Sequence, residues 1–250
     1  MSTYSIGGTA QENGQRSLSE QDFYIGQVTD NEYIRTKFVA EQLVLQAIVD
    51  RGLKAKIMRV GNLMGRASDG EFQINFNSNA FVSSLKSYKI LGVFPLDEMT
   101  NSIEISPIDK TAEAVAKLAS TPQDMIIFHP YNNYKIDMAA IVKSFNDYGY
   151  KIDVVSNNIF SARILEMMGN IDKAVYLQGL MHFGKLNEGL SIVEPVNNYT
   201  TNILYRLGFY WNQPNTNYIY TLIEMLDGLG FFDDYKLMKG GEKKTDIYLL

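Results

Sequence analysis

Residues 29–52 have the sequence TDNEYIRTKFVAEQLVLQAIVDRG. Thr29 and Glu32 have the S/T-x-x-E spacing of a capping box, which marks the start of a helix. Apolar residues recur at helical spacing through its middle: Val39, Leu43 and Ala47. Gly52 can end a helix in the left-handed conformation. The stretch therefore predicts a long, well-bounded helix.

Short β-rich segments flank this helix. Before it, MSTYSIGG (1–8) is typical of a buried strand that ends in a glycine turn, and after it AKIMRVGNLMG (55–65) predicts a buried strand that ends in a loop at Gly61. The polar segment 9–28 is predicted to be a functional loop or lid, because structureless loops of that length are uncommon in compact domains.

Helix and strand signals alternate farther along the chain. Ser106 as N-cap and Pro107 at the first helical position predict a helix over 107–119. Strands are predicted at 125–129 and 151–156, and helices at 137–148, 158–168, 171–183, 197–207 and 216–228. This order predicts an α/β unit followed by a mostly helical part, with a boundary in the range 105–135.

The composition excludes several classes of protein. A net charge of −5 and the lack of any long Lys/Arg run argue against a nucleic-acid partner. The chain has no cysteine and two histidines, His129 and His182, so neither a disulfide nor a metal site is expected. Without a membrane-length apolar run or a leader sequence, we expect a cytoplasmic protein with no membrane partner.

The candidate chemistry is a Tyr-x-x-x-Lys pair, Tyr33 and Lys37, one turn apart on the predicted helix. A nearby ammonium stabilises a phenolate, which makes tyrosine a better proton donor at neutral pH. Chance alone gives about one such pair in a chain of this composition. Two further pairs, in turns and tails, are predicted to be surface residues: Tyr131 with Lys135, and Tyr235 with Lys239.

The order of these motifs resembles the extended short-chain dehydrogenase/reductase family. Members place Ser or Thr at a strand end, Tyr-x-x-x-Lys on the next long helix, and an R-x-x-N loop after the following strand. The resemblance implies that Thr3 hydrogen-bonds the substrate carbonyl, Tyr33 donates the proton, and Lys37 tunes it and holds the nicotinamide ribose. Gly61 and Asn62 match the loop beside the nicotinamide.

Longer strings are similar to the thioester reductase domains of nonribosomal peptide synthetases and carboxylic acid reductases. These strings are RVGNLMGRASDGEFQINFNSNAF (59–81), LGVFP (91–95), EISPIDKTAEAVAKLA (104–119), GFYWNQP (208–214) and MLDGLGFF (225–232). The resemblance implies reduction of an acyl or peptidyl thioester, held on the phosphopantetheine arm of a carrier domain, with hydride from NADPH. The product is released as an aldehyde, or as an alcohol after a second hydride.

The same resemblance implies a substrate mouth lined by four residues: Arg66, Phe72, Gln73 and Asn75. Loop packing or capping is an equally good explanation of each. The glycine motif that binds the cofactor pyrophosphate at a helix N-terminus is not in the sequence. We therefore expect the chain to be the C-terminal portion of a reductase domain that, in isolation, neither binds NADPH nor reduces a thioester.

The predicted fold class is thus α/β: an incomplete Rossmann-like doubly wound unit without its nucleotide-binding half, followed by a helical substrate-binding subdomain. The predicted division is 1–120 for the reductase core and 121–250 for the helical substrate- or carrier-binding subdomain. Apolar faces that normally pack on the missing half would be exposed and favour self-association. The two candidate faces are Ile57, Met58 and Val60 on the strand, and Val39 with Leu43 on the helix.

Two other functions stay open. A nucleotide-sugar epimerase or reductase of the same extended family shares Tyr-x-x-x-Lys, but it has no reason to carry the string at 59–81. A non-catalytic remnant that docks a carrier domain would bind an acylated carrier protein without turnover.

Overall fold

Short strands alternate with helices over much of the chain. The computed structural model describes residues 1–12, 14, 16–29, 31–72, 79–170, 174–177, 179–180 and 193–233. The strands are β1 (Ser2–Thr3), β2 (Ser17–Leu18), β3 (Ile57–Val60), β4 (Leu63–Met64), β5 (Val93–Pro95), β6 (Ser102–Glu104), β7 (Ser106–Pro107), β8 (Ile127–Phe128), β9 (Lys135–Asp137), β10 (Asp153–Val155) and β11 (Glu194–Pro195). The helices are α1 (Glu32–Arg51), α2 (Ala80–Leu91), α3 (Ile108–Ala119), α4 (Met138–Tyr148), α5 (Asn157–Met168), α6 (Asn198–Arg206) and α7 (Thr216–Gly228), with 3₁₀ helices at Tyr4–Gly7, Leu96–Glu98 and Val175–Leu177.

A three-stranded parallel sheet has the order β1-β3-β8. Thr3 pairs with Val60, and Met58 pairs with Phe128. All four residues of the central strand β3 are buried, as expected for a parallel strand covered on both faces. The remaining strands form two-stranded sheets: β10 with β5, β11 with β2, β4 with β7, and the antiparallel pair β6 with β9.

The predicted long helix is present as α1, but its cap differs from the prediction. Asn31 is the N-cap, and its Oδ1 accepts hydrogen bonds from the N–H groups of Tyr33 (2.9 Å) and Ile34 (3.3 Å). The prediction that Thr29 caps the helix was wrong, because Asn31 lies directly before the first turn and reaches two of its free N–H groups. Gly52 ends the helix with a φ of 64°, as predicted.

Most other predicted elements are confirmed to within a few residues. The helix over 107–119 is present as α3, but Ser106 is not its cap. Ser106 lies in β7, and its hydroxyl donates a hydrogen bond to Glu104 instead. Much of the predicted helix over 171–183 lies outside the described residues. The mixed α/β class with parallel strand pairs agrees with the predicted fold class.

Among the described residues, buried apolar side chains form three groups. The largest runs from Met64 to Phe232 and joins α2, α4, α5 and α7 around β5 and β6. The second joins β3, α3, β8 and α6, and the third is small and contains Ile6, Leu18 and Val193. Because the largest group has members on both sides of residue 120, the division at that residue stays a prediction.

Exposure confirms one of the two predicted apolar faces and contradicts the other. Ile57, Met58 and Val60 are at most 8% exposed, because β3 lies between two strands and Met58 packs in the group that includes α3. Val39 and Leu43 on α1 are 46% and 64% exposed. None of the helices in the described ranges combines the length and apolar character needed to cross a membrane.

Candidate functional site

Thr3 lies at the carboxyl end of β1, beside the carboxyl end of β3. Ligand sites of open parallel sheets lie at this edge. The Thr3 side chain is buried, and its Oγ1 accepts a hydrogen bond from the Ser5 N–H at 3.2 Å, which caps the 3₁₀ helix Tyr4–Gly7. That bond uses an acceptor lone pair, so the Thr3 hydroxyl keeps its proton for donation to another group.

Tyr33 and Lys37 lie together near the start of α1, which packs against β1 and the 3₁₀ helix that follows it. The Lys37 Nζ is 5.8 Å from the centroid of the Tyr33 ring, a cation–π contact. The Tyr33 side chain is 57% exposed. The structure therefore brings Tyr33 and Lys37 together with the phenol open to solvent, and their joint action with Thr3 stays a prediction.

The Gly61–Asn62 turn follows β3 and is held from two sides. The Asn62 Nδ2 donates hydrogen bonds to the Tyr4 hydroxyl (2.9 Å) and to the Glu104 carbonyl (3.1 Å). The Asn62 N–H donates to Glu104 Oε2 at 2.6 Å. A Cβ on Gly61 would collide with Glu104 Oε2 and lie 2.6 Å from the Tyr131 Cβ, so the close packing of this turn requires glycine.

Glu104 is a buried carboxyl directly beneath this turn. Burial raises its pKa from 4.5 to about 7, and hydrogen bonds from the Ser106 hydroxyl and the Asn62 N–H oppose that shift. Burial, together with the Glu104 charge, raises the pKa of the Tyr4 and Tyr131 phenols. The prediction that Tyr131 is a surface residue was wrong: it is 7% exposed, because its ring packs inside the fold and its hydroxyl donates to the Pro195 carbonyl at 2.7 Å. Tyr235 and Lys239 lie outside the described residues. Sequence reasoning missed Glu104 and Tyr4 as site residues. The available signal was an acidic residue inside the β-rich run SIEIS.

A second buried polar cluster joins α1 to the sheet around Arg59. Arg59 Nε donates to Glu41 Oε1 at 3.0 Å, and its Nη2 donates to Glu41 Oε2 at 2.7 Å. Arg59 Nη1 donates to the Asp22 carbonyl at 3.0 Å and lies 3.1 Å from His129 Nε2. Burial and the Arg59 charge lower the His129 pKa to about 4, so the neutral ring donates from Nδ1 to the Val196 carbonyl and accepts at Nε2.

The structure describes two of the four residues that are predicted to line a substrate mouth. Arg66 is 42% exposed and forms ion pairs with acidic side chains of its own loop, at 2.7 Å to Asp69 Oδ2. Phe72 is 8% exposed and packs in the largest core group, which favours a packing role. Gln73 and Asn75 lie outside the described residues. A substrate mouth at these positions stays a prediction.

Comparison with known families supports the resemblance found in the sequence. Residues 2–115 match the model of an NAD-binding domain family described as male sterility protein. Glycine betaine reductase ATRR of Emericella nidulans is 29% identical over 126 residues, which are 50% of this chain and 9% of that protein.

Two solved structures are similar over nearly the whole chain. A thiolation-reductase di-domain from an archaeal non-ribosomal peptide synthetase is 33% identical with a TM-score of 0.81, and the match covers 93% of this chain and 49% of that one. The reductase domain of the aureusimine biosynthetic cluster is 24% identical with a TM-score of 0.74, covering 92% and 60%. The chain thus spans about half the length of the archaeal structure.

Proposed function

Since this chain belongs to the thioester reductase group of the extended short-chain dehydrogenase/reductase family, we propose that it carries the proton-donating part of an NADPH-dependent thioester reductase. The observation that carries the proposal is the pairing of Tyr33 and Lys37 on α1, with the ammonium 5.8 Å from the phenol ring. The helix that bears them packs against β1, whose carboxyl end carries Thr3. The substrate is an acyl or peptidyl thioester, which leaves as an aldehyde or alcohol.

In this mechanism the chain's own residues act on the thioester oxygen. Tyr33 donates its phenolic proton to that oxygen, and Lys37 stabilises the phenolate left behind. Thr3 donates a hydrogen bond to the same oxygen as negative charge develops on it. A bound nicotinamide would supply the hydride for the thioester carbon. The C–S bond of the resulting thiohemiacetal then breaks, which releases the aldehyde and leaves the thiol on the carrier arm.

Residues present in the chain fit the nicotinamide end of the cofactor. The exposed Tyr33 and Lys37 offer a phenol and an ammonium side by side, which suits a ribose hydroxyl and a carbonyl oxygen. The Asn62 turn lies beyond the carboxyl end of β3, next to β1. A glycine-rich cradle for the pyrophosphate is not in the sequence, so we propose that the chain alone neither binds NADPH usefully nor reduces a thioester.

The proposed partner is a carrier domain that presents the thioester on a phosphopantetheine arm. The archaeal relative joins a thiolation domain to its reductase in one protein. We extend that pairing to this chain and place it in the cytoplasm, where carrier-bound thioesters are assembled.

A hybrid protein tests the function. The part of the archaeal thiolation-reductase protein that this chain does not match is joined to residues 1–250. With NADPH and an acyl-pantetheine thioester, we expect NADPH oxidation that depends on the thioester. Tyr33→Phe should lower the rate by on the order of 10²-fold or more, because the proton donor is lost. Tyr205→Phe is the control, since Tyr205 lies on α6 with its ring stacked on Tyr210.

The outcomes separate the candidate functions. Micromolar NADPH binding by the chain alone would refute the proposed inactivity. A hybrid that binds NADPH and turns over equally with Tyr33→Phe overturns the proton-donor role.

The open position of Tyr33 favours one second candidate, a non-catalytic carrier-docking module. Capture of an acylated carrier protein by the chain, with no turnover in the hybrid, would select it. Turnover of a nucleotide sugar instead of the thioester would select the epimerase alternative.

A further inference from the structure

The anchoring of α1 to the rest of the protein depends on an unusual buried residue. Glu41 is 3% exposed, and no other residue of α1 is buried to that extent. The large apolar residues Val39, Leu43 and Val49 are 46%, 64% and 83% exposed. A helix normally turns its apolar residues toward the core. In α1 the most deeply buried side chain is instead a carboxylate.

The partner of Glu41 is the guanidinium of Arg59, which is fully buried in β3. Three donor–acceptor contacts of 3.0, 3.1 and 2.7 Å join the two side chains. Bidentate arginine–carboxylate pairs have a fixed planar geometry, so they constrain direction as well as distance. Apolar contacts have no such directionality. The pair therefore fixes both the rotation of α1 and its position along its axis.

The position of Glu41 in the helix links this anchor to the candidate site. Glu41 follows Lys37 by four residues and Tyr33 by eight, so the three side chains lie along one face of α1. A rotation of the helix by one residue would turn that face by about 100°. Whatever fixes Glu41 thus fixes the direction in which Tyr33 and Lys37 point.

We propose that Arg59 and Glu41 are positioning residues: their buried ion pair sets the placement of the Tyr33–Lys37 face of α1 relative to the sheet edge. The importance of that placement for catalysis rests on the proposed function. The same guanidinium holds the carbonyl of Asp22, so it also fixes the loop before α1. The pair accordingly contributes more to the placement of α1 than to the free energy of unfolding, since buried ion pairs often contribute little net stability compared with apolar replacements.

A distance measurement tests this placement directly. The chain has no cysteine, so two introduced cysteines can be labelled without side reactions. Spin labels at Thr36→Cys on α1 and at Asp124→Cys before β8 report the distance between helix and sheet by pulsed electron paramagnetic resonance. Both positions are exposed. We expect one narrow distance distribution in the otherwise unchanged chain.

Two variants remove the anchor in different ways. The double variant Glu41→Leu with Arg59→Met replaces the ion pair with apolar side chains, which keeps the protein folded but removes the directional bonds. Its distance maximum should shift by about 1.5 Å or more, the rise of one helical residue, or its distribution should broaden. Glu41→Gln is the milder variant, and it should broaden the distribution because one arm of the bidentate contact is lost.

The matched control breaks a different ion pair on the same helix. Glu32→Gln removes the exposed contact of Glu32 with Arg35, and the distance distribution should not change. An unchanged distribution in the double variant overturns the proposal. If the double variant is unfolded by circular dichroism, an unchanged distribution in Glu41→Gln overturns it. The distance measurement does not depend on thioester reduction. A shifted or broadened distance distribution would therefore support the positioning role even if the proposed function were wrong.

Discussion

In the folded protein Glu104 favours its protonated form and His129 favours its unprotonated form, and both of these forms are neutral. Burial raises the Glu104 pKa from 4.5 to about 7, whereas burial and Arg59 lower the His129 pKa from 6.5 to about 4. Between pH 4.5 and 7, folded Glu104 holds a proton that the unfolded chain has lost, so its contribution to the free energy of unfolding falls as pH rises. Between pH 4 and 6.5, unfolded His129 binds a proton that the folded protein lacks, so its contribution rises with pH.

Single substitutions should expose these two opposing effects. In Glu104→Gln the free energy of unfolding should rise between pH 4 and 6.5, and in His129→Gln it should fall between pH 4.5 and 7. Each change should be on the order of 3 kcal/mol, while the unsubstituted chain should show a flatter profile. Urea unfolding at a series of pH values measures this.

The matched control is Glu113→Gln, which alters an exposed carboxylate paired with Lys110. Its pH profile should follow that of the unsubstituted chain. Profiles for Glu104→Gln and His129→Gln that also follow it would show that burial does not set these protonation states.

At the scale of elements, α1 shows how a local pattern can predict a helix and still misplace its start. Thr29 and Glu32 have the right spacing for a capping box, but Asn31 accepts the two hydrogen bonds from the first turn. Asn31→Ala should lower the free energy of unfolding by about 1 kcal/mol and speed amide exchange in the turn that carries Tyr33. Thr29→Ala should do neither. Chemical unfolding with amide exchange would distinguish them, and equal effects would contradict the assigned cap.

Residues 9–28, before α1, are predicted to form a functional loop or lid, and contacts in the structure hold part of this segment in place. Glu20 is buried, and its Oε1 accepts the Thr200 N–H in the first turn of α6 at 2.8 Å. A carboxylate at a helix N-terminus is favourable both as a hydrogen-bond acceptor and toward the helix dipole. β2 pairs with β11, and the Asp22 carbonyl is held by Arg59. Its function as a lid stays a prediction, and these contacts would have to break for residues 17–22 to move.

The exposed apolar side chains of α1 are the feature of the whole molecule that we expect to govern its behaviour in solution. Val39, Leu43 and Val49 expose large apolar side chains on one element. Such surfaces favour association. We therefore expect the chain to self-associate, and Leu43→Lys with Val49→Lys should shift it toward monomer in sedimentation velocity with little change in stability. Leu165→Lys on α5, where Leu165 is 68% exposed, is the control.

A chain that sediments as a monomer at all concentrations would contradict this expectation. So would a Leu165→Lys variant that dissociates the assembly as fully as the changes on α1. The second result would assign the association to α5 instead.

Local sequence patterns were enough to predict the α/β class, the long helix, the buried strand after it and the pairing of Tyr33 with Lys37. Each of these depends on residues close together in the chain, where helical spacing, glycine stops and β-rich runs act locally. The resemblance to thioester reductase domains came from strings of this kind.

Which polar groups are buried together became visible in the folded structure alone. Arg59 meets Glu41 across 18 positions, and the Asn62 turn meets Glu104 across 42. Periodic patterns in the sequence do not predict such partners, because the pairing depends on which strand and helix become neighbours after folding. The free-energy cost of burying these polar groups is offset by hydrogen bonds to each other and to neighbouring polar groups such as the Asp22 carbonyl and the Ser106 hydroxyl. Their protonation and placement therefore follow from the assembled fold.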